Sequence, residues 1–513
     1  MSGRKRFLAM QDYQAPCGNS MGPVIFCREE QVRPKPAMSG VIVKSAPQLC
    51  LLDGSSYIYR AYYGIRDVAT KGGMPTNAVL GFTRMLLALL QEHRPDYLAV
   101  VFDPPREGVF RKEIYPEYKA NRDAMPEDLV LQIPYIRKVL QALNIQLLEA
   151  PGFEADDVIA TLARQYAATG VEVTVVTGDK DLLQIVGDRI SLIDTMKEKR
   201  SGPQEVIERF GVPPELVADV LGLAGDSADN IPGVPGIGEK TASELVRRFG
   251  SLEEVLQWRS MISGRQRRYN LRAFADQARL SKTLATVCYD VPLDVPLASL
   301  QRQAPNLAEL IPLLRELEFA ALEIAFTPPP AGLVELYSDG SGQLSGPGGY
   351  GVILRYGEHE KELSGFEPVA TSQRMELIAA IRGLEALTTR RQVRVYSDSQ
   401  YLVRGMNEWL QGWIRSGRIK TPDALKNQDL WQQLAALSAG HQVSWEWVRG
   451  HDGHYFNERC DRLAKRAAEE GIRAAEELLR ASAAAELVEA MASEVETVQL
   501  PLIPDNQADD EIR

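Results

Sequence analysis

Two α/β domains joined by a proline-rich spacer are what this sequence predicts, the first on a parallel-rich sheet and the second on a sheet that begins as an antiparallel meander. Three observations carry that expectation. Short apolar runs alternate with helical patterns through the first 320 or so residues, as strands and their covering helices do around a parallel sheet. At Phe326-Thr327-Pro328-Pro329-Pro330-Ala331-Gly332 the alternation stops, because prolines in series cannot continue a helix. After Leu333, three strand-like runs follow one another with no helix between them.

Composition sets the outer limits. A chain of 513 residues, 45% hydrophobic and 25% charged, has room for several cored globular domains. No apolar run approaches the roughly 20 residues of a membrane span, and Met1-Ser2-Gly3-Arg4-Lys5-Arg6 lacks the apolar core of a signal peptide. A cytoplasmic protein without a membrane partner is expected. Cys17, Cys27, Cys50, Cys288 and Cys460 are scattered and lack C-x-x-C spacing, so reduced thiols rather than a zinc site are expected. The net charge of −11 speaks superficially against a phosphate-rich partner. Acids concentrated in metal sites and a tail still leave local basic clusters free to bind one.

Residues 1–47 mix Pro, Gly, Arg and Met without a period and are expected to be disordered. Order should begin with the strand Gln48-Leu49-Cys50-Leu51-Leu52-Asp53. A second strand, Tyr97 to Phe102, likewise ends in an acid, Asp103. Helical patterns near 77–92, 127–142 and 154–169 complete the alternation. Between Gly152 and Asp181, the acids Glu154, Asp156 and Asp157 open a helix, Val171 to Val176 alternates as a strand, and Asp179 and Asp181 follow its carboxyl end. Ligands of parallel sheets bind outside the carboxyl ends of the strands, where these acids gather. Crowded carboxylates raise one another's pKa, and a cation keeps them ionised. Acids in a first helical turn also complement the helix dipole with no ligand at all, so Glu154, Asp156 and Asp157 alone decide nothing.

Two other stretches bear on the question. From Pro104 to Arg122, basic residues interleave with aromatics, which suits phosphate contact and base stacking, although a solvated charged loop has the same composition. Asp226 and Asp229 sit in a loop just before Gly233-Val234-Pro235-Gly236-Ile237-Gly238-Glu239-Lys240. A glycine turn at a helix N-terminus directs backbone N–H groups at an anion, and Lys240 adds charge; an ordinary helix–turn–helix is the alternative.

Taken in order, LLDG, VFD, FRKEIYPEYKANR, GFEADD, TGDKD, GDSADN and GVPGIGEKTA over roughly 48–320 resemble the 5′-nuclease domain of bacterial DNA polymerase I and its flap-endonuclease relatives. The resemblance implies a PIN-like domain with helices on both faces of its sheet and a helix–three-turn–helix at about 214–257. It implies metal ligation by Asp53, Asp103, Glu154, Asp156, Asp157, Asp179, Asp181, Asp226 and Asp229. In such domains the basic segment arches over the 5′ single strand. Arg111, Tyr118, Lys119 and Arg122 are then nucleic-acid contacts, with Lys119 and Arg122 near the scissile phosphate. Gly236, Gly238 and Lys240 would hold duplex, a turn that commonly also binds K⁺. Proof-reading and polymerase motifs do not follow.

Phosphodiester hydrolysis fits these residue types. Paired Mg²⁺ or Mn²⁺ ions about 4 Å apart activate a water and stabilise the leaving oxygen, and hard oxygen ligands select those metals over zinc.

The second domain starts with Leu333 to Asp339, a strand ending in an acid, followed by Gly349 to Tyr356 and a polar strand near 358–366. Glu376 lies early in a helix, Asp398 ends the strand from Val393, and Asp461 lies in a later helix. Singly, Glu376 and Asp461 read more often as helix-surface acids than as ligands. The ordered motifs YSDGS, RMEL, YSDSQY, WEWVRGHDGH and NERCDRLA resemble the RNase HI family over 333–471. That resemblance implies an RNase H-like fold, a two-metal site on Asp339, Glu376, Asp398 and Asp461, and a mobile histidine, His451, suited to proton transfer. It implies nucleic-acid contacts at Thr371 and, in a basic protrusion, at Trp409, Trp413, Arg415 and Lys420. The short turn Gly342 to Pro347 lacks the asparagine common in the family, and Thr371-Ser372-Gln373 stands where Thr-Asn-Asn is common. Both departures touch substrate grip, including reading of the RNA 2′-OH.

Residues 472–513 should form an exposed helix and then an acidic tail. Within it, Gln499, Leu500, Leu502 and Ile503 resemble the peptide by which bacterial replication proteins dock on the sliding clamp.

The expected whole is a bifunctional nuclease with two Mg²⁺ or Mn²⁺ ions per site. Its partners would be DNA with 5′ ends or flaps and RNA–DNA hybrid. One domain serving only to bind nucleic acid, or an adaptor held on the clamp, are the alternatives.

Overall fold

The computed structural model describes residues 46–66, 68–105, 108–197, 199–344, 346–421, 424–450 and 454–496. The expected extension up to Ser45 and the proposed clamp peptide at Gln499, Leu500, Leu502 and Ile503 lie outside them.

The first sheet contains β1 (Gln48–Asp53), β2 (Tyr97–Val101), β3 (Gln146–Leu148), β4 (Glu172–Val176), β5 (Ile190–Asp194) and β6 (Lys199–Ser201), in the order β3-β2-β1-β4-β5-β6. All neighbours are parallel except β5 and β6. Side chains alternate between faces, so Leu49, Leu51, Ala99, Val101, Val173 and Val175 enter one core while Cys50, Leu52, Leu98 and Val100 enter another. Burial on both faces explains why the strands read as unbroken apolar runs.

The helix Ala155–Ala167 fills the first core with Val158, Ile159 and Leu162, and helices Asn77–His93 and Ile133–Ala142 fill the second. The chain steps outward from β1 through β2 to β3 and then returns to β4 on the other side of β1. That reversal opens a crevice at the carboxyl ends of β1 and β4.

The helical pattern near 127–142 is two helices, Glu127–Val130 and Ile133–Ala142. Gln132 at the break is fully buried, and its Oε1 accepts the N–H groups of Ala78 at 2.8 Å and Val79 at 3.3 Å. An interior polar side chain serving another helix's free N-terminus displaces the continuous helix that periodicity suggests.

In the second sheet, β7 (Leu333–Ser341), β8 (Gly348–Tyr356) and β9 (His359–Glu367) form the expected meander, and β10 (Gln392–Ser397) and β11 (Gln442–Trp447) add in parallel beside β7, giving β11-β10-β7-β8-β9. Helices Ser372–Glu385 and Gln428–Ala439 cover one face around the buried Trp431. The helix Tyr455–Glu496 crosses the other face, against Gly349 and Gly351. A Cβ on either would stand 2.0 Å from the Ala464 carbonyl oxygen or 2.2 Å from that of Cys460, so glycine sets how closely helix and sheet approach. This helix runs through 471 without a break; the tail helix expected from 472 is its continuation.

The described residues belong to one compact unit. The helix Ala320–Phe326 ends at the spacer, where Arg355 of β8 takes up its last carbonyls. No helix among the described residues is long and apolar enough to cross a membrane.

Candidate active sites

The crevice beyond β1 and β4 holds the first group of acids. Asp53 ends β1 and caps the helix Gly54–Gly64, its Oδ1 accepting the Ser56 N–H at 2.9 Å. Its Oδ2 accepts the Thr177 hydroxyl at 2.7 Å. Burial and then its neighbours Asp103 and Asp179 push its pKa up to about 7 against these hydrogen bonds. Asp103 lies just past β2, and its Oδ1 accepts the Ala155 N–H at 2.8 Å, which ties it to the N-terminus of the helix carrying Asp156. Burial, then Asp179 and Asp53, raise the Asp156 carboxyl well above its ordinary range.

A second set meets the first at Asp179, whose Oδ1 accepts the Asp181 N–H at 2.9 Å. Burial, then Asp179, Asp226 and Asp229, raise Asp181 well above the usual carboxylate range. Its buried Oδ1 has no hydrogen-bond partner. Lysines and an arginine stand among these acids: Lys180 pairs with Asp226 at 2.9 Å, Lys119 with Glu154 at 2.6 Å and Asp229 at 3.4 Å, and Arg122 with Asp229.

Asp157 and Arg111 face elsewhere. Arg111 is 3% exposed and grips Asp157 with two bonds of 2.7 Å, donating also to Glu154 and to the carbonyls of Leu284 and Thr286. Asp157, fully buried, also accepts the Cys288 N–H at 2.7 Å. The structure therefore corrects both expectations: the side chains are spent on each other and on joining the helix Ala155–Ala167 to the segment at 284–288. Tyr118 is corrected too, since its ring is buried and its hydroxyl donates to Glu154 at 2.9 Å rather than offering a face to a base. Between Lys119 and Arg111, Glu154 is held below the ordinary carboxylate range despite a burial effect that alone would raise it.

The second site is tighter. One oxygen from each of Asp339, Glu376 and Asp398 lies within 4.8 Å of the others. Asp339 near the end of β7 is pushed up to about 7 by burial and then by Asp398 and Asp461. Burial, with Asp339 and Asp398 beside it, raises Glu376 well above its ordinary range, and its Oε2 is buried without a partner. Asp398 follows β10, accepting from Asn457 Nδ2 at 3.0 Å, while the Trp447 indole N–H donates to the Asp398 carbonyl at 2.9 Å. Asp461, on the long helix, is outside the triad and pairs with Lys465 at 2.7 Å. His451 lies outside the described residues.

Of the expected grip residues, Gly236, Gly238 and Lys240 are exposed at the start of the helix Glu239–Phe249. Thr371 caps the helix Ser372–Glu385. Trp409 and Trp413 are half-buried in an aromatic cluster with Tyr401 and Trp431, and Arg415 and Lys420 are exposed beside it. Thr177, Lys180, Asn457 and Trp447 went unassigned in the sequence, although each lies within a few residues of a predicted acid or inside a quoted motif.

Oxygen-only donors, mutually raised acids and orphaned carboxylate oxygens at Asp181 and Glu376 suit a hard divalent cation at both sites. Such acid clusters at the carboxyl edges of α/β sheets define a class of cation-binding enzymes.

Family models agree with that class. The 5'-3' exonuclease N-terminal resolvase-like domain matches residues 48–211, the 5'-3' exonuclease C-terminal SAM fold matches 212–308, and RNase H matches 332–469. The 5'-3' exonuclease of Aquifex aeolicus is 40% identical over 275 residues, covering 53% of this chain and 93% of that one. DNA polymerase I of Rhizobium leguminosarum is 44% identical over 288 residues, covering 55% of this chain and 28% of the polymerase, so the chain spans under a third of that relative. A solved type 1 RNase H, LC9-RNase H1, is 34% identical, covers 28% of this chain and 76% of that one, and superposes with a TM-score of 0.26. The chain belongs to the 5'-3' exonuclease family and carries an RNase H domain after it.

Proposed function

We propose that the chain is a bifunctional metal-dependent nuclease. Its first site would act as a 5′-3′ exonuclease or flap endonuclease, and its second would cut RNA paired to DNA. Together they would remove RNA primers during cytoplasmic DNA replication or repair. The observation that carries the reading is the presence of two separate groups of buried, mutually raised acids on one chain, each with a buried carboxylate oxygen lacking a partner, the second with one oxygen each from Asp339, Glu376 and Asp398 within 4.8 Å.

Asp53, Asp103, Glu154, Asp156, Asp179, Asp181, Asp226 and Asp229 would hold two Mg²⁺ or Mn²⁺ ions in the first site, and Asp339, Glu376, Asp398 and Asp461 two in the second. Such ions supply an activated water and charge stabilisation at the leaving oxygen. Thr177 and the Ala155 N–H fix the carboxylates of Asp53 and Asp103, so the site is shaped before substrate arrives. Lys119 and Arg122, now paired with Glu154 and Asp229, carry the positive charge nearest the acids and would turn to the scissile phosphate. In the second site Asn457 orients Asp398, and His451 would move the proton.

The glycine turn at Gly236 and Gly238 would hold duplex with K⁺, and Gln499 to Ile503 would dock on the sliding clamp. A gapped duplex whose downstream strand is 5′-RNA–DNA tests the whole reading. Asp398→Asn should abolish internal RNA cleavage and spare 5′ trimming, and Asp181→Asn the reverse; retention of RNA cleavage in the first or trimming in the second refutes the corresponding assignment.

A further inference from the structure

The long helix Tyr455–Glu496 meets the first domain along one side. With 100° per residue, Tyr455, Arg459, Arg462, Arg466 and Arg473, at i, i+4, i+7, i+11 and i+18, share that side. The first turns make the contact. Gln91 Nε2 donates to the Tyr455 hydroxyl, and Arg462 donates to Gln91 Oε1 at 2.6 Å. Arg459 pairs at 2.6 Å with Glu362, which pairs in turn with Arg94 at 2.8 Å. Arg466 and Arg473 follow on the same side and are exposed.

Positive charge here exceeds what the protein itself neutralises. On the same helix Lys465 pairs with Asp461 and Arg480 with Glu476, and Glu469 and Glu470 lie between Arg466 and Arg473. Even so, no ion pair among the described residues engages Arg462, Arg466 or Arg473. Arg462 is half-buried, and burial lowers its pKa, an effect that Glu458 offsets only in part. A guanidinium held in that way gains from an arriving phosphate. Across the contact, Arg200 of β6 is exposed. Burial first, and then Arg200 and Arg466 together, hold the His93 imidazole below its ordinary range against Glu92. The basic side therefore continues from one domain to the other, in a chain of net charge −11. It also adjoins the second site, because Asp461 precedes Arg462 by one residue, about 100° around the helix.

We propose that Arg466 and Arg473, with Arg462 behind them and Arg200 across the contact, carry the phosphate backbone of an RNA–DNA hybrid from the second site toward the first domain. This rests on the reading of the second site as one that cuts RNA paired to DNA. Arginines on phosphate read no bases, so the surface sets the direction and length of the bound hybrid rather than its sequence. From Arg462 to Arg473 the helix rises about 16 Å, roughly five nucleotides of a strand. Neither domain alone has this surface; it belongs to the joined chain.

The test measures binding of the full chain to RNA–DNA hybrids by fluorescence anisotropy, in EDTA so that nothing is cut, with salt varied. One hybrid is just long enough to fill the second site, and the other is longer by about five base pairs, the reach of the arginine side. On the longer hybrid R466Q/R473Q should lower the slope of log affinity against log salt by about 2 and weaken binding at least about tenfold at low salt. Its slope on the shorter hybrid should equal that of wild type. R200Q should lower the slope on the longer hybrid by about 1. R466K/R473K, which keeps the charge, should bind like wild type and shows that the helix tolerates substitution. A wild-type slope in R466Q/R473Q on the longer hybrid overturns the proposal, as does an equal loss on both hybrids, which would place the arginines within the second site's own grip. A wild-type slope in R200Q overturns the passage onto the first domain. Wild type that binds neither hybrid would instead remove the reading of the second site beneath it.

Discussion

Arg355 of β8 donates to the carbonyl of Thr327 at 2.7 Å, fastening the proline-rich spacer to the second domain. It also donates to the Ile324 carbonyl at 3.3 Å, inside the last turn of the helix Ala320–Phe326. The Ile324 carbonyl also takes the Thr327 N–H at 3.4 Å, so Arg355 reinforces the helix end as well as holding the spacer. The same joint includes Gln91, which bridges Tyr455 and Arg462, and Arg94, which pairs with Glu362 at 2.8 Å. The proline-rich spacer is thus one side of a fixed joint, which holds the two acid clusters at a set distance rather than over a range of linker lengths.

Arg355 is 6% exposed, and its charge is balanced by Glu335 at 2.9 Å, itself 7% exposed. Arg355→Met strands that carboxylate and should cost about 3–5 kcal/mol of stability. Arg355→Met with Glu335→Leu should recover most of the loss. Urea unfolding followed by tryptophan fluorescence reports on this domain, because five of the six tryptophans lie between 409 and 447. A double variant as unstable as the single one would show that the ion pair is not what the arginine supplies.

Arg111 and Asp157 pose the same question inside the first domain. Their two parallel bonds of 2.7 Å need a planar guanidinium, so Arg111→Lys should lose nearly as much as Arg111→Met, about 3 kcal/mol or more. Thermal melting of both variants decides. If Arg111→Lys melts with the wild type while duplex affinity drops, the arginine is a nucleic-acid contact after all.

Much of this architecture was legible because local pattern and tertiary role coincide. Strands buried on both faces show as apolar runs, and Asp53 and Asp103 follow such runs directly, so their place at the sheet edge could be read off. Arg111 and Tyr118 were misread for a physical reason. Basic and aromatic residues look alike whether they meet phosphate or close on buried acids, and the partners Asp157, Leu284 and Thr286 lie 46 to 175 positions away. Local sequence holds no sign of such contacts. Nor could the joint at Arg355 be seen, since an arginine in a strand usually points to water.

Glu362 links the pH response to that joint. Burial alone would raise its pKa, but Arg459 at 2.6 Å and Arg94 at 2.8 Å hold it below the ordinary carboxylate range. A depressed folded pKa contributes stability above the unfolded value, near 4.3, and loses it as pH falls through the folded value. Glu362→Gln should therefore be less stable than wild type at pH 7, with the gap closing below about pH 4. Denaturation midpoints taken across that range test the sign. A gap that widens on acidification would mean that the arginines do not stabilise the charged form.

Cation binding should register as stability at both sites. Each buries acids whose mutual repulsion only a cation, or a proton, relieves, as the raised carboxyls of Asp181 and Glu376 record. A ligand at a hundred times its dissociation constant adds about 2.7 kcal/mol to the folded state. Mg²⁺ should raise the melting temperature of the wild type, and EDTA should reverse the rise. In Glu376→Gln the buried repulsion is already reduced, so the metal-free protein should melt higher than metal-free wild type, while the increment gained from Mg²⁺ shrinks to that of the first site. Asp181→Asn should behave likewise in the first domain. Opposite signs in the two conditions separate a cation site from a merely structural acid, whose replacement would shift both melting curves together.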